Sequence, residues 1–426
     1  MRILLISYYF PPFNSVGAVR PGKLARWLQR QGHGVHVLTC ASQPFPPGLP
    51  LEIAQHHVTA VPAWSINAPV EWMRGGRDKV AREGYGATSG TDSAAGRLGR
   101  LYKTLLHWPD GQIGWVGAAT RAGRRLLAQH PADLIYCSAP PFSGLRIAAT
   151  LSAATGTPWV AELRDLWTDN HAADSPRWRH AIERRWEQRL LRSASALVTV
   201  SAPLVRRLQR FGPPVWEVRN GCDPEDFANL PAPPEIQAAP GQLHVVFTGN
   251  VYDRHYDVDA FCAGLAMDRT AGGQVCVHVA GRNSAALRAA AQRHGVASLF
   301  RFQATVPRPQ ALALQAHADL LLSFLWSGGG DSGVYSAKLF EYAGAGRPVL
   351  AVESPNDVAA LIEKSRIGCV CTDAASVAAA LAQARLRKAR EGQLRVTPSP
   401  DHDFSRARQF TALEAKLHAL VNGAAP

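Results

Sequence analysis

The chain has 426 residues, 46% of them hydrophobic and 19% charged, with a formal net charge of +13. That composition is globular and long enough for two cores of ordinary size, which excludes a disordered or fibrous chain. The positive charge suits a nucleic acid, an anionic membrane surface or a phosphorylated substrate, or simply a basic surface; with no arginine-rich tail and no nucleic-acid motif, nucleic acid drops out.

The first forty residues read as strand, loop, helix, strand. Arg2 to Ser7 is a short apolar run suited to a buried parallel strand. The loop Tyr8 to Gly17 follows, then a helix carrying Val19, Leu24, Trp27 and Leu28, stopped at Gly32 and Gly34. Val35 to Thr39 is the second strand. The N-terminal apolar run is too short for a secretory signal, and no run reaches the roughly eighteen apolar residues of a spanning helix. Seven scattered cysteines, without C-x-x-C or zinc spacing, fit reduced, buried thiols. The expectation is a cytoplasmic protein whose membrane contact, if any, is peripheral.

Residues 43–115 break the pattern and read as an insertion, with Gly75 to Gly99 rich in Gly, Ser, Thr and Arg. Trp64, Trp72, Trp108 and Trp115 surround it, with Arg74, Arg77, Lys79 and Arg82 nearby. A basic surface bearing Trp can dock at a lipid interface; ordinary aromatic packing uses the same residues. Alternation then resumes with strands at Asp133 to Cys137, Pro158 to Leu163, Ala196 to Ser201 and Val215 to Arg219. Between them a helix is striped by Ile182, Trp186 and Leu190. The proline-rich stretch 229–242 reads as a linker between domains at 1–228 and 243–403. The second series has strands at His244 to Gly249, Val275 to Ala280, Phe300 to Ala304, Asp319 to Phe324 and Pro348 to Val352. A final amphipathic helix within 404–426 carries Phe410, Leu413, Leu417 and Val421. Strands alternating with helices imply parallel sheets covered on both faces.

Such sheets bind ligands at the carboxyl ends of their strands, and three strand-end loops carry suitable groups. The first ends at Gly17, where backbone can approach an anion at a helix start; a plain turn would look the same. No G-x-G-x-x-G supports a dinucleotide. The second is Glu162-Leu163-Arg164-Asp165, where Arg164 and Asp165 are either a structural pair or functional groups. The third is Ser327 to Tyr342: a glycine-rich loop (Gly329, Gly330, Asp331, Gly333) runs into a helix that Ser336 can cap. Backbone N–H groups and the helix dipole then suit a diphosphate. Lys338 adds a cation in the first turn, and Glu341 can accept hydrogen bonds from ribose hydroxyls.

At these residues the chain resembles the retaining GT-B glycosyltransferases of family 4, including the branch that builds bacterial surface polysaccharides. The resemblance rests on Tyr9-Phe10-Pro11-Pro12 with Gly17, on Asn220-Gly221-Cys222-Asp223, and on Ser336 to Tyr342 followed by Gly346-Arg347-Pro348-Val349-Leu350. It implies an α/β fold of two Rossmann-like domains whose parallel sheets face a central cleft, with the final helix packing back on the N-terminal domain. It further implies transfer of a sugar from a nucleotide-sugar donor, commonly a uridine diphosphate sugar, to a glycan or lipid-linked acceptor. No cofactor and no metal is implied for the leaving group. Glu341 matches the second Glu of the family's E-x7-E pattern; the first would fall at residue 333, which is Gly here, leaving Asp331 or backbone amides as substitutes. Donor binding then falls to Gly17, Asn250, Arg254, Gly329, Gly330, Asp331, Gly333, Ser336, Lys338, Leu339 and Glu341. Asp165 would stabilise positive charge at the anomeric carbon, and Arg164 would orient acceptor or phosphate. Two other readings survive: a nucleotide-sugar epimerase or hydrolase of the same architecture, and a non-catalytic nucleotide-sugar-binding protein.

Overall fold

The computed structural model describes the chain apart from residues 67–101, 170–175, 252–255, 326–334, 353–355 and 424–426 and the single positions 44, 103, 238, 240, 283, 400, 401 and 403. The glycine-rich part of the insertion therefore lies outside the described residues. By packing, the chain divides into two units, Met1–Arg219 with Phe410–Pro426, and Asn220–Gln409.

The first unit contains β1 (Arg2–Ser7), α1 (Val16–Arg30), β2 (Gly34–Cys40), β3 (Val58–Val61), α2 (Val116–Gln129), β4 (Leu134–Ala139), α3 (Ser143–Thr155), β5 (Trp159–Leu163), α4 (Arg177–Arg192), β6 (Ala196–Thr199), α5 (Ala202–Leu208) and β7 (Val215–Glu217). Its strands form one parallel sheet in the order β3-β2-β1-β4-β5-β6-β7. β1, β4 and β5 are apolar almost throughout because helices cover both faces. One face packs Leu4, Ile6, Ile135, Trp159 and Leu197. The other packs Ile3, Leu5, Tyr136 and Val160 against Phe410, Leu413 and Leu417 of the last helix.

The second unit contains a helical turn, α6 (Pro234–Gln237), then β8 (Leu243–Thr248), α7 (Val258–Thr270), β9 (Val275–Ala280), α8 (Ala285–Arg293), β10 (Phe300–Gln303), α9 (Arg308–His317), β11 (Leu320–Phe324), α10 (Ala337–Ala345), β12 (Val349–Val352), α11 (Asp357–Lys364), β13 (Gly368–Cys371) and α12 (Ala374–Glu391). The sheet is parallel, in the order β10-β9-β8-β11-β12-β13. The last helix, α13 (Arg406–Val421), begins here and ends in the first unit.

Several expectations change. The first unit ends at Arg219 rather than 228, because Cys222 N–H donates to Phe404 O at 2.8 Å and Arg406 N–H donates to Cys222 O at 2.9 Å, fastening that segment to the second unit. Residues 229–242 are not a free linker: Gln303 Nε2 donates to Glu235 at 2.8 Å and His244 to the Ala239 carbonyl at 2.8 Å. The insertion range 43–115 includes β3, which joins the sheet beside β2. In α4 the buried face is Arg179, Glu183, Glu187 and Leu191, while Ile182 is 47% exposed. The apolar stripe was misplaced because polar side chains on the inner face find distant partners: Arg179 donates to Thr104 O at 2.9 Å and pairs with Glu183 at 2.7 Å. Of the cysteines, Cys369 is exposed and the other six are buried. Among the described residues no helix is long and apolar enough to cross a membrane.

Candidate functional site

In each sheet the strand order reverses direction once, between β1 and β4 and between β8 and β11. The loops leaving the carboxyl ends of these strands diverge to opposite faces and leave a crevice there. Both crevices hold residues singled out in the sequence.

In the first unit, Ser15 caps α1 by accepting from Gly17 N–H at 3.2 Å. Arg164, just past β5, donates from Nη1 to Gly17 O at 2.7 Å, from Nη2 to Pro140 O at 2.8 Å and from Nε to Ala139 O at 3.1 Å. Gly17 and Arg164 are thus brought together. The guanidinium is a clamp joining the ends of three segments, a structural use of its planar fork. Burial holds its pKa below the usual arginine value. The rest of this loop is pinned as well. Trp167 stacks on Phe142, centroids 5.4 Å apart, Thr168 Oγ1 donates to Glu187, and Arg210 meets Asp169 at 2.5 Å. Asp165 is half-buried within this fixed loop, with the charge of Arg164 beside it.

Beneath that loop lies an ion pair absent from the sequence candidates. Glu162 in β5 is fully buried. It accepts from Arg20 Nε at 2.9 Å, Tyr136 Oη at 2.8 Å and Ser138 Oγ at 2.5 Å. Arg20 also donates to Val218 O at 2.9 Å and Arg219 O at 2.8 Å. Burial alone would raise the carboxyl pKa; the charge and hydrogen bonds of Arg20 bring it below the ordinary value. A charge inside an apolar strand was the visible signal. Arg20, 142 residues away, was not.

In the second unit, β8 is followed by Gly249, whose φ of +120° is open to glycine. A Cβ there would lie 2.6 Å from Lys338 Nζ, so a side chain at 249 would displace the ammonium. Asn250 Oδ1 accepts from Arg282 N–H at 3.3 Å and ties the β8 end to the β9 end. Ser336 caps α10 by accepting from Lys338 N–H at 3.4 Å. Leu339 is buried, anchoring the helix against the sheet. Tyr342 Oη accepts from Thr248 N–H at 3.3 Å and donates to Leu322 O at 3.2 Å, fixing α10 against both switch-point strands.

Lys338 and Glu341 face different surroundings. Arg308, opening α9, pairs with Glu341 Oε1 and, through Nη2, with Asp226 at 3.0 Å. Gln315 reaches Glu341 Oε2 at 3.5 Å and Thr248 Oγ1 at 2.9 Å. Its own Oε1 is buried without a partner among the described residues. Glu341 is thus held by a pair that motif reading missed, Arg308 and Asp226. The Lys338 ammonium lies 4.5 Å from the Phe247 ring centroid. It meets no hydrogen-bond acceptor or carboxylate among the described residues. Burial pulls its pKa down to about 8, against a smaller opposing effect of Glu341. Arg254, Gly329, Gly330, Asp331 and Gly333 lie outside the described residues. A separate pocket of about 500 Å³ on the β10 side, lined by Glu235, Arg288, Arg301, Phe302 and Gln303 among others, contains none of the sequence candidates.

Residues 22–226 match the family model described as Glycosyltransferase Family 4. That match lies almost wholly within the first unit. No curated protein matches the chain. Among solved structures, Anabaena Alr3699/HepE in complex with UDP and glucose is similar over 98% of this chain and 100% of that one, with 15% identity and a TM-score of 0.59. Sucrose-phosphate synthase from Thermosynechococcus elongatus is similar over 98% and 99%, with 14% identity and a TM-score of 0.59. A Listeria monocytogenes protein provisionally named a UDP-N-acetylglucosamine 2-epimerase is similar over 100% and 97%, with 9% identity and a TM-score of 0.57. At these identities the likeness is one of fold: the two parallel-sheet α/β units of this chain are of the GT-B type.

Proposed function

We propose that the protein is a retaining glycosyltransferase that moves a sugar from a uridine diphosphate sugar to a glycan or lipid-linked acceptor, in polysaccharide or glycoconjugate assembly. The observation that carries this reading is the Lys338 ammonium: half-buried, without an acceptor among the described residues, and next to the capped start of α10 at the switch point of the second sheet. A buried cation costs stability unless an anion joins it. A diphosphate is the anion that fits a lysine beside a helix N-terminus. Glu341, paired with Arg308, would offer a carboxylate oxygen to the ribose hydroxyls, and Gln315 Oε1, without a partner among the described residues, would offer another acceptor. Asp165 would stabilise the positive charge that develops at the anomeric carbon. The leaving diphosphate, neutralised by Lys338 and the α10 dipole, would take the acceptor's proton on the face it leaves.

Thermal stabilisation by a panel of nucleotide sugars tests the donor site. One uridine diphosphate sugar should raise Tm, and Glu341→Ala should lose that response with the fold intact. No response to any nucleotide would overturn the reading in favour of a binding protein of another kind. Conversion of the donor with no acceptor present would favour the epimerase or hydrolase reading, to which the Listeria protein's name adds weight.

The acceptor is argued from α4. Its outer face exposes Trp178 (50%) and Ile182 (47%) beside Arg184, Arg185 and Arg189, and Leu105 and Leu106 are exposed on the same unit. Apolar side chains ringed by arginine suit an anionic membrane surface, consistent with a lipid-linked acceptor met at a peripheral site. Vesicles containing phosphatidylglycerol should bind the wild type, and Trp178→Ala with Ile182→Glu should weaken binding at least 5-fold at constant helicity. Equal binding by both proteins would remove this part of the proposal.

A further inference from the structure

Toward the amino ends of β8 and β9, away from the carboxyl-end crevice, the second sheet holds a group of ligating side chains that no motif spacing reveals. His244 stands in β8, and Cys276 and His278 stand in β9; all three are buried. In the parallel register His244 is opposite Cys276 and Val246 is opposite His278. With the two-residue period of a strand, the three side chains share one face. Their ligating atoms lie within 4.8 Å of one another.

We propose that His244, Cys276 and His278 form a site for a thiophilic divalent cation of the zinc class. His244 Nε2 lies 2.8 Å from the Ala239 carbonyl, which can only accept, so Nε2 carries the proton. In the neutral ring Nδ1 is then a bare lone pair, and it lies 3.0 Å from His278 Nε2. A backbone carbonyl that fixes the tautomer of a ligating ring is the usual outer support of a metal-bound histidine. Two imidazoles and a thiolate are borderline-to-soft donors, which select zinc-class ions over magnesium or calcium. Without an ion the pair is poorly provided for. One imidazole must donate to the other, and the Nδ1 of His278, a residue only 1% exposed, has no partner among the described residues. Nitrogens at about 2.0–2.1 Å and sulfur at about 2.3 Å from zinc require only a local contraction of this cluster.

The charges on every side are these. Asp319 accepts from His244 N–H at 2.8 Å and from Lys388 at 2.6 Å, so that pair is neutral. Glu235 acts on His278 as an anion, and Arg301 acts on both Cys276 and His278 as a cation. A divalent ion with one thiolate leaves a single positive charge, which the nearby charge of Glu235 offsets, with a water completing four-coordination. Binding forms two metal–nitrogen bonds and one metal–sulfur bond, and the thiol proton leaves to solvent. Ligands on two neighbouring strands would cross-link β8 to β9 and so stiffen the sheet edge toward β10.

Cobalt(II) titration of the full-length protein, in a Cys369→Ser, Cys371→Ser background, tests the site. One equivalent should produce a thiolate-to-cobalt charge-transfer band with tetrahedral d–d absorption, and one equivalent of zinc should erase it. Cys276→Ala should abolish the band and weaken binding at least 10-fold, and His278→Gln should do the same. Absence of the thiolate band in the unsubstituted site overturns the proposal, whether or not the variants fold. So does a band that survives Cys276→Ala, or uptake without a band, which would place the ion at His33, Glu414 and His418 instead.

Discussion

At Lys338 the same feature that would bind an anion weakens the empty protein. Its folded pKa of about 8 lies below the ordinary value of 10.5, so the unfolded chain holds the proton more tightly. The cost is fully present below pH 8 and disappears as pH rises from 8 toward 10.5. Lys338→Met keeps the packing on Phe247 and removes the charge. It should stabilise the ligand-free protein by about 1–2 kcal/mol at pH 7 and by little at pH 10.5. The same variant should bind a uridine diphosphate sugar at least 10-fold more weakly, and wild-type affinity should fall as pH passes 8. Chemical denaturation with and without nucleotide measures both effects. A variant less stable at pH 7, with donor affinity unchanged, would mean that the ammonium serves the fold. Arg308 belongs to the same argument. Paired with Glu341 33 residues away and Asp226 82 residues away, it holds the Glu341 carboxylate in place, a contact no local pattern announces.

Among the elements, Glu187 on the inner face of α4 shows what misled the sequence reading. It is 1% exposed, and burial raises its carboxyl pKa to about 7 despite the hydrogen bond from Thr168. Because the unfolded carboxyl titrates near 4.5, a cost appears as pH rises through 4.5 and is complete above 7. Glu187→Gln should therefore stabilise the protein by on the order of 2 kcal/mol at pH 8 and by almost nothing at pH 4.5. Urea unfolding at the two pH values decides this, and a gain at pH 4.5 equal to that at pH 8 would exclude the titration. Strands such as β1, β5 and β9 were readable because burial on both faces leaves continuous apolar runs. β3 and β13 were missed because they are short edge strands, half-exposed and without such a run. α4 was found as a helix but faced the wrong way: Arg179, Glu183 and Glu187 are buried only because Thr104, His107 and Thr168 satisfy them. Of the candidate site, the α10 motif was legible since capping residue, cation and carboxylate share one helix. Arg20 and Glu162 were not, since their pairing is made by the sheet.

For the whole molecule, the path of the chain has a consequence of its own. The first unit is discontinuous, since the chain leaves it after Arg219 and returns at Phe410. Phe410, Leu413 and Leu417 lie in the same core as Ile3, Leu5 and Tyr136. Leu413 is fully buried, so Leu413→Ala should cost the first unit about 2–5 kcal/mol. Lys338 and Glu341, proposed to bind the donor, lie by contrast in the second unit. Two units with separate cores need not melt together. Calorimetry should therefore resolve two transitions. Leu413→Ala should lower one of them, and a uridine diphosphate sugar should raise the other, since a ligand stabilises what it binds in proportion to RT ln(1 + [L]/Kd). Lys338→Met should cancel the ligand response without touching the transition that Leu413→Ala moves. If both perturbations shift a single transition, the two cores are one cooperative structure, and the donor responds to the integrity of the last helix.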